Sequence, residues 1–509
     1  MKKGKVYLVG AGPGDVGLIT VKGLSCLEKA DVIIYDYLLN ERLMESARPE
    51  VERIYVGKTV SYHIKKQREI NQLLVEKAKE GKIVVRLKGG DPFVLGRGGE
   101  EAEALAQAHI PFEVVPGISS AIAVPAYAGI PVTHRRLSSS FMIITGHEDP
   151  TKDSPRIVWE KLATGVDTLV FLMGVGNLPK IVSQLLKNGR ASSTPIALIK
   201  DGTGPCQETI VGTLADIITK AENKNFSPPA VIVVGDVVRL RDGLRWFDNQ
   251  TLFGKKILVT SARTQVSSFN RLLLEHGAQP IVMPAIEVAD MPSTEKLDQA
   301  ILSLESYQWL VFVSVNGVES FFERLYALNR DARWLKNIYI GAIGPATAGA
   351  LEARGLRTDF LPRIYTNQGF LAELKNQDIT GSRFLLPRAD IATRELADGI
   401  TRLGAEVHEV AAYRIVSTVK AISQGRQLLL AGEIDIITFT SSSAVTNLLS
   451  LLNGKKELLN KTTVACIGPI TAATAAKAGL KVGIVAWEHT IPGLVESIKL
   501  YFQGNRKGD

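Results

Sequence analysis

The residues with the most chemistry in them stand in one run, Arg86-Leu-Lys-Gly-Gly-Asp-Pro-Phe-Val-Leu-Gly-Arg-Gly-Gly-Glu-Glu101. It packs five glycines, two arginines and an aspartate between a short β-rich stretch, Ile83 to Val85, and a helix. So much glycine costs backbone entropy, which is justified where the chain takes positive φ or approaches a ligand closely. A lone glycine-rich turn can be only a tight connection. Here Val9-Gly-Ala-Gly-Pro-Gly-Asp15 and Val115-Pro-Gly-Ile-Ser-Ser120 repeat the arrangement after two other strands. Asp36 closes the strand Ala30 to Asp36, and Lys58 follows a strand ending at Val56. Both therefore stand at strand C-termini, the edge where open α/β sheets bind ligands.

Gly12-Pro-Gly-Asp-Val-Gly17 satisfies the GxGxxG dinucleotide pattern, with Asp36 at about the distance of a ribose-binding acid. The context argues against that use. Proline and aspartate fill the turn where a pyrophosphate needs bare N–H groups and no nearby negative charge.

With 509 residues the chain is too long for one core and should form several compact units. No apolar run approaches the ~18 residues that span a bilayer, and the start Met1-Lys-Lys-Gly-Lys reads as a first strand, not an export signal. Three scattered cysteines, Cys26, Cys206 and Cys466, argue for a reducing, cytoplasmic setting and against a structural metal. A net charge of +8 suits an acidic small molecule, and no basic block with interleaved aromatics favours nucleic acid. After an apolar strand at Val231 to Val238, Arg239 to Gln250 is polar and turn-rich, and a fresh strand starts at Lys256. Two domains, 1–248 and 251–509, are expected, with a linker between them.

The second half contains a repeat. Phe312-Val-Ser-Val-Asn-Gly-Val318 echoes Phe439-Thr-Ser-Ser-Ser-Ala-Val445, and Ile343-Gly-Pro-Ala-Thr-Ala348 echoes Ile467-Gly-Pro-Ile-Thr-Ala472. Thr260-Ser-Ala-Arg263 echoes Leu386-Pro-Arg-Ala389, and Gly277 echoes Gly404. The offset is roughly 125 residues, a duplicated α/β domain rather than a solenoid. Each copy sets hydroxyl-rich loops at strand ends, so the two copies are expected to face each other across a cleft. Ser314 and Thr347 would line one side and Ser442, Ser443 and Thr471 the other, with helix N-termini suited to carboxylates.

Several ordered motifs resemble a known family. They are Gly10-Ala-Gly-Pro-Gly-Asp15, Tyr35-Asp36, Gln67-Arg-Glu-Ile-Asn71, Val84-Val-Arg-Leu-Lys-Gly-Gly-Asp-Pro-Phe93, Gly96-Arg-Gly-Gly-Glu-Glu101, Pro116-Gly117, Gly129-Ile-Pro-Val-Thr-His-Arg135, Thr145-Gly-His147 and Met173-Gly174. From Lys5 to about Trp246 the chain resembles uroporphyrinogen-III C-methyltransferase, of the tetrapyrrole methylases that use S-adenosyl-L-methionine. The resemblance implies a fold of two α/β subdomains and a homodimer through this half. It implies cofactor contacts from Pro13, Gly89, Gly90, Asp91, Val94, Ser119, Ser120, Met173 and Gly202. It also implies proton acceptor and donor roles for Asp36 and Lys58. Arg97, His134 and Arg135 are candidates for gripping acetate and propionate groups, and equally for solvated surface positions. Met173 and Val94 suit core packing as well as a cofactor wall. The family usually has Arg and Gly where this chain has Thr59 and Ser61.

Ile343-Gly-Pro, Leu386-Pro-Arg-Ala-Asp390, Ala412-Tyr-Arg414, Thr440-Ser-Ser-Ser443 and Ile467-Gly-Pro-Ile-Thr471 resemble uroporphyrinogen-III synthase, over about Gly254 to Phe502. That resemblance implies a two-lobed α/β fold whose chain crosses between lobes twice. It also implies closure of hydroxymethylbilane with inversion of the last pyrrole. Tyr413 matches the family's linker tyrosine, open to a role in loss of the hydroxyl or to packing on the linker. The two resemblances imply consecutive steps, hydroxymethylbilane to uroporphyrinogen III and on to precorrin-2, feeding sirohaem or cobalamin. A methylase of a later corrinoid, joined to a tetrapyrrole-binding half without catalysis, is the alternative.

Overall fold

The computed structural model describes the chain apart from residues 1–3, 38, 58–66, 148–156, 262, 284–286, 290, 417–421, 453, 460–461 and 506–509. It divides into two compact units, with the main division between Lys255 and Lys256. Four five-stranded sheets form the described framework, two in each unit.

The first sheet takes β1 (Lys5–Gly10), β2 (Val32–Tyr35), β3 (Glu52–Tyr55), β4 (Ile83–Lys88) and β5 (Phe112–Val115) in the order β3-β2-β4-β1-β5. Its strand pairs are parallel, with Leu8 opposite Arg86 and Gly10 opposite Lys88. β1 and β4 are central and covered by helices on both faces, so they read as nearly continuous apolar runs. Arg86 and Lys88 interrupt that run. The second sheet takes β6 (Phe141–Thr145), β7 (Thr168–Leu172), β8 (Pro195–Lys200), β9 (Glu208–Thr213) and β10 (Ala230–Val234) in the order β6-β7-β10-β8-β9. It is mixed: β6 and β7 are parallel, while β10 runs antiparallel to β7 and β8.

In the second unit one lobe holds β11 (Lys256–Val259), β12 (Gln279–Val282), β18 (Ile436–Phe439), β19 (Thr463–Cys466) and β20 (Val482–Val485), ordered β12-β11-β18-β19-β20. The other holds β13 (Glu287–Ala289), β14 (Trp309–Phe312), β15 (Tyr339–Ala342), β16 (Arg383–Ala389) and β17 (Glu406–Val416), ordered β13-β17-β16-β14-β15. The order β12-β11-β18-β19 matches β17-β16-β14-β15 strand for strand, so the repeat is structural. The lobes are not the two sequence copies, however. The first copy supplies β11 and β12 to one lobe and β14 and β15 to the other; the second copy does the reverse with β16, β17, β18 and β19. A strand–helix–strand piece has only two strands, so each sheet is completed by the matching piece of the other copy. The apolar clusters follow this exchange: Leu258 packs with Phe439, and Phe312 with Leu385. Among the described residues no helix is long and apolar enough to cross a membrane.

Candidate functional site

The three glycine loops of the first sheet meet at its C-terminal edge. Gly12 and Gly90 exchange backbone hydrogen bonds, Gly90 N–H to Gly12 O at 2.8 Å and Gly12 N–H to Gly90 O at 3.2 Å. A side chain at Gly117 would put its Cβ 2.3 Å from Gly90 O and 2.6 Å from Gly10 Cα. Only glycine admits this crossing, because the loops touch backbone to backbone. Asp91 fixes it: one carboxylate oxygen accepts from Phe93 N–H at 2.7 Å and Val94 N–H at 3.2 Å, the other from Gly117 N–H at 3.0 Å. Gly89 completes that turn, and Ser119 caps the Ser120–Tyr127 helix, its hydroxyl accepting from Ala121 N–H. After Gly12 comes a three-residue 3-10 turn, Val16–Leu18, capped by Asp15, and the Val21–Lys29 helix starts only beyond the glycine motif. A dinucleotide fold would place a long helix there.

Beneath this edge lies a cluster of charges. Arg86 is 2% exposed and spends its guanidinium completely. Its Nη2 donates to both Asp36 oxygens at 2.8 Å, its Nε to Glu101 Oε1 at 3.0 Å, and its Nη1 to the Ile34 and Leu87 carbonyls. Lys88 Nζ donates to the same Glu101 oxygen at 2.8 Å, and Gln67 Nε2 at 3.2 Å. Burial, then the neighbouring Arg86, pushes the Lys88 ammonium below its usual range. Glu101 Oε2 is buried without a partner among the described residues. Two cations and two carboxylates balance, as burial of charge requires. The Gln67–Asn71 motif acquires a purpose here. Both residues lie on one face of their helix, and Asn71 Nδ2 donates to the Glu100 carbonyl at 3.1 Å.

A cavity of about 460 Å³ opens beside the segment that follows Asp91, lined by Phe93, Leu95, Arg97, Gly98, Gly99, Glu100, Thr145 and Met173, the last being the one expected cofactor residue in that lining. It draws walls from both sheets of the unit, and its size falls within the ~300–1,000 Å³ of small-molecule sites. Leu95, Arg97 and Met173 in its lining take positive φ without being glycine, and so do Asp201 and Thr203 in the turn after β8, the kind of conformation that persists where surroundings over-determine it. Met173 is 58% exposed on this wall, so it is no core residue. Gly202 sits between two of the strained residues and against the Ser120–Tyr127 helix, where a Cβ would lie 2.4 Å from Val124. Pro13 stands in the turn opposite, held by Asp15 N–H donating to Thr203 Oγ1 at 3.1 Å.

The other expected residues are placed less uniformly. Arg97 pairs with Glu100 on the cavity rim. His134 is tied into a turn with Ser138; neither it nor Arg135 is among the described residues lining the cavity. Lys58, Thr59 and Ser61 lie outside the described residues. Sequence reasoning singled out neither Arg86 nor Lys88, although two cations inside an apolar strand were the available signal.

In the second unit Ser314 caps the Val315–Ala327 helix, and its hydroxyl meets the Tyr413 hydroxyl at 3.0 Å. Tyr413 is 5% exposed and packs in the apolar cluster around Phe312 and Phe321. Burial pushes its phenol above the usual range against the opposing effect of Ser314, so it stays a neutral donor. Ser442 opens the Ser442–Leu451 helix and accepts from Thr474 Oγ1 at 2.9 Å, while Ser443 bonds Ser441. Pro345 and Pro469 start their helices as expected, but Thr347 and Thr471 are buried. Thr474, one turn on from Thr471, reaches the adjacent helix instead.

Comparison with known proteins gives each unit a family. Residues 5–218 match the tetrapyrrole (corrin/porphyrin) methylases, and residues 267–496 match uroporphyrinogen-III synthase HemD. The porphyrin biosynthesis protein HemD of Ruminiclostridium josui is 38% identical over 505 residues, 99% of both chains. The uroporphyrinogen-III C-methyltransferase of Priestia megaterium is 57% identical over 46% of this chain and 98% of its own. The crystal structure of the Thermus thermophilus uroporphyrin-III C-methyl transferase complexed with S-adenyl homocysteine is 40% identical, covering 46% of this chain and 99% of that one, with a TM-score of 0.40. With its glycine-crossed first unit and exchanged-repeat second unit, the chain belongs to the tetrapyrrole methylases through its first half and to the uroporphyrinogen-III synthases through its second.

Proposed function

We propose that this chain performs two consecutive reactions of tetrapyrrole biosynthesis. The second unit closes hydroxymethylbilane to uroporphyrinogen III, and the first methylates that ring twice with S-adenosyl-L-methionine to give precorrin-2, the entry to sirohaem and cobalamin. The observation that carries the reading is the union, in one polypeptide, of a methylase unit whose glycine loops cross at one sheet edge and a two-lobed synthase unit.

The cofactor supplies an already activated methyl carbon, so the protein has mainly to hold donor and nucleophile in line. The cavity offers part of what such a group needs: apolar Phe93, Leu95 and Met173 make a wall for a purine or sulfonium, and the nearby Ser119–Ser120 helix start, against Gly90, suits a carboxylate. Asp36 is oriented by Arg86 and remains partly exposed, poised to take a proton from the ring being methylated. Lys58 returns one. Arg97, with His134 and Arg135 further out, receives substrate carboxylates.

Ring closure needs control of conformation more than a nucleophile, because unassisted closure gives the uninverted isomer. Ser314, Ser442 and Ser443 at helix starts fit a polycarboxylate, and Tyr413 assists departure of the hydroxyl. Domains 1–248 and 251–509, a homodimer through the first half and a cytoplasmic location complete the proposal. The test is methyl counting: purified protein is given uroporphyrinogen III and isotope-labelled S-adenosyl-L-methionine, and the product is weighed by mass spectrometry. Two labelled methyl groups support the reading; an unmethylated ring overturns it.

A further inference from the structure

We infer that Tyr127 is a positioning residue for methyl transfer, setting the Pro13–Asp15 turn against the cofactor from the packed segment 241–253. The inference rests on the reading that this turn borders S-adenosyl-L-methionine.

The Ser120–Tyr127 helix touches three parts of the expected cofactor site. Its first residue lies under Gly90, whose Cβ would be 3.7 Å from Ser120 N, and Val124 lies under Gly202. At its end the Tyr127 hydroxyl donates to Asp15 Oδ2 at 2.7 Å. Asp15 is a node. Its other oxygen accepts from Gly17 N–H at 2.8 Å, and its own N–H reaches Thr203 on the turn after β8. One residue therefore joins a turn of the first sheet to the helix through its carboxylate and to a turn of the second sheet through its backbone N–H. Gln207 reinforces the join, accepting from Thr203 N–H at 3.0 Å and donating to the Tyr127 carbonyl at 3.4 Å. Burial, then the bond to Asp15, holds the Tyr127 phenol above its usual range, so it stays a donor.

Tyr127 is itself held from the other side. Its ring meets Trp246 and Phe247 edge to face at 5.0 and 4.8 Å, and Phe247 meets Phe253 at 5.4 Å. Trp246 Nε1 donates to the Ala126 carbonyl at 3.0 Å, and Arg241, paired with Asp248, donates to the Ala128 carbonyl. A side chain at Gly129, where φ is 70°, would put its Cβ 2.6 Å from the Leu244 backbone. Composition reads 239–250 as polar and turn-rich, yet Phe247 within it is 6% exposed, and Leu252 just beyond it is fully buried. The chain leaving the methylase unit is thus a brace for the cofactor turn.

Tyr127→Phe in the full chain keeps the ring and removes only the bond to Asp15. Methylation is followed with labelled S-adenosyl-L-methionine and uroporphyrinogen III, and binding of S-adenosylhomocysteine is titrated by calorimetry. KM for the donor and Kd for the analogue should rise about fivefold to tenfold, the scale of one lost hydrogen bond. The kcat at saturating donor and the KM for the tetrapyrrole should hold. Trp246→Leu, which leaves the hydroxyl but loosens its support, should raise the same donor KM by less. Unchanged donor KM and Kd in Tyr127→Phe overturn the inference, and so does a parallel loss of kcat, both KM values and melting temperature. A wild-type protein that fails to bind S-adenosylhomocysteine would instead sink the functional reading beneath it.

Discussion

In the first unit the strand leading to the glycine turn carries Arg86 and Lys88 inside, where carboxylates of Asp36 and Glu101 meet them. At the corresponding strand ends of the second unit stand Ser314 and Ser441, neutral hydroxyls capping the next helix. The difference follows the chemistry proposed for each. A proton must move at a fixed place during methylation, and buried, mutually restrained charges hold a carboxylate in one orientation at the cost of desolvation. Ring closure asks for a shaped surface with many modest donors, which capped helix starts provide without buried ions. The first site should fail abruptly when one group is removed. The second should fail by degrees.

The largest effect should come from Arg86→Met. It leaves the buried Glu101 and the partly exposed Asp36 facing one cation, a loss of ~3–5 kcal/mol by the precedent of broken buried pairs. Methylation should vanish and the first unit's melting transition drop, while hydroxymethylbilane is still closed. A small change in melting would mean the charge cluster does not fix these loops. Asp36→Asn and Lys58→Met come next: each should slow methylation ~10²-fold with donor binding intact, because proton transfer and not assembly is lost. Normal rates in both would return these residues to a structural role. Asp91→Ala orphans the N–H groups of Phe93, Val94 and Gly117, and calorimetry should find donor binding weaker by ~1–3 kcal/mol. Unchanged affinity would show that the loops cross without their carboxylate.

In the second unit, Ser442→Ala and Tyr413→Phe each remove one neutral hydrogen bond, worth ~0.5–1.5 kcal/mol. Rates of ring closure should fall only a few-fold, and the telling readout is the isomer ratio. A loosened surface leaks the linear tetrapyrrole, which then closes uninverted. Should Tyr413→Phe keep full rate and isomer purity, its hydroxyl serves only to anchor Ser314.

Much of the first site was legible because its demands are local. Positive φ at Gly12 and Gly90 and the backbone crossing at Gly117 leave glycine as the sole solution, and that shows in composition. The roles of Arg86 and Lys88 were not legible, since a charge in a strand shows its burial only once its partners at positions 36 and 101 are placed. The repeat in the second half was plain, but the exchange of pieces between lobes was not. Strand order depends on which half-copy completes each sheet, and both choices have the same local sequence. The stretch 239–250 shows its polar turns in composition, but the packing of Trp246 and Phe247 within it, and of Phe253 beyond it, shows only once their ring partners are placed.

Two activities in one chain are the central claim, and one coupled assay meets it directly. Hydroxymethylbilane is supplied to the intact protein with and without S-adenosyl-L-methionine, and the macrocycle is identified by mass and by isomer. Without the donor the product should be uroporphyrinogen III; with it, the same inverted ring bearing two added methyl groups. An uninverted ring in both arms, or an inverted ring that gains no methyl group, would contradict the account.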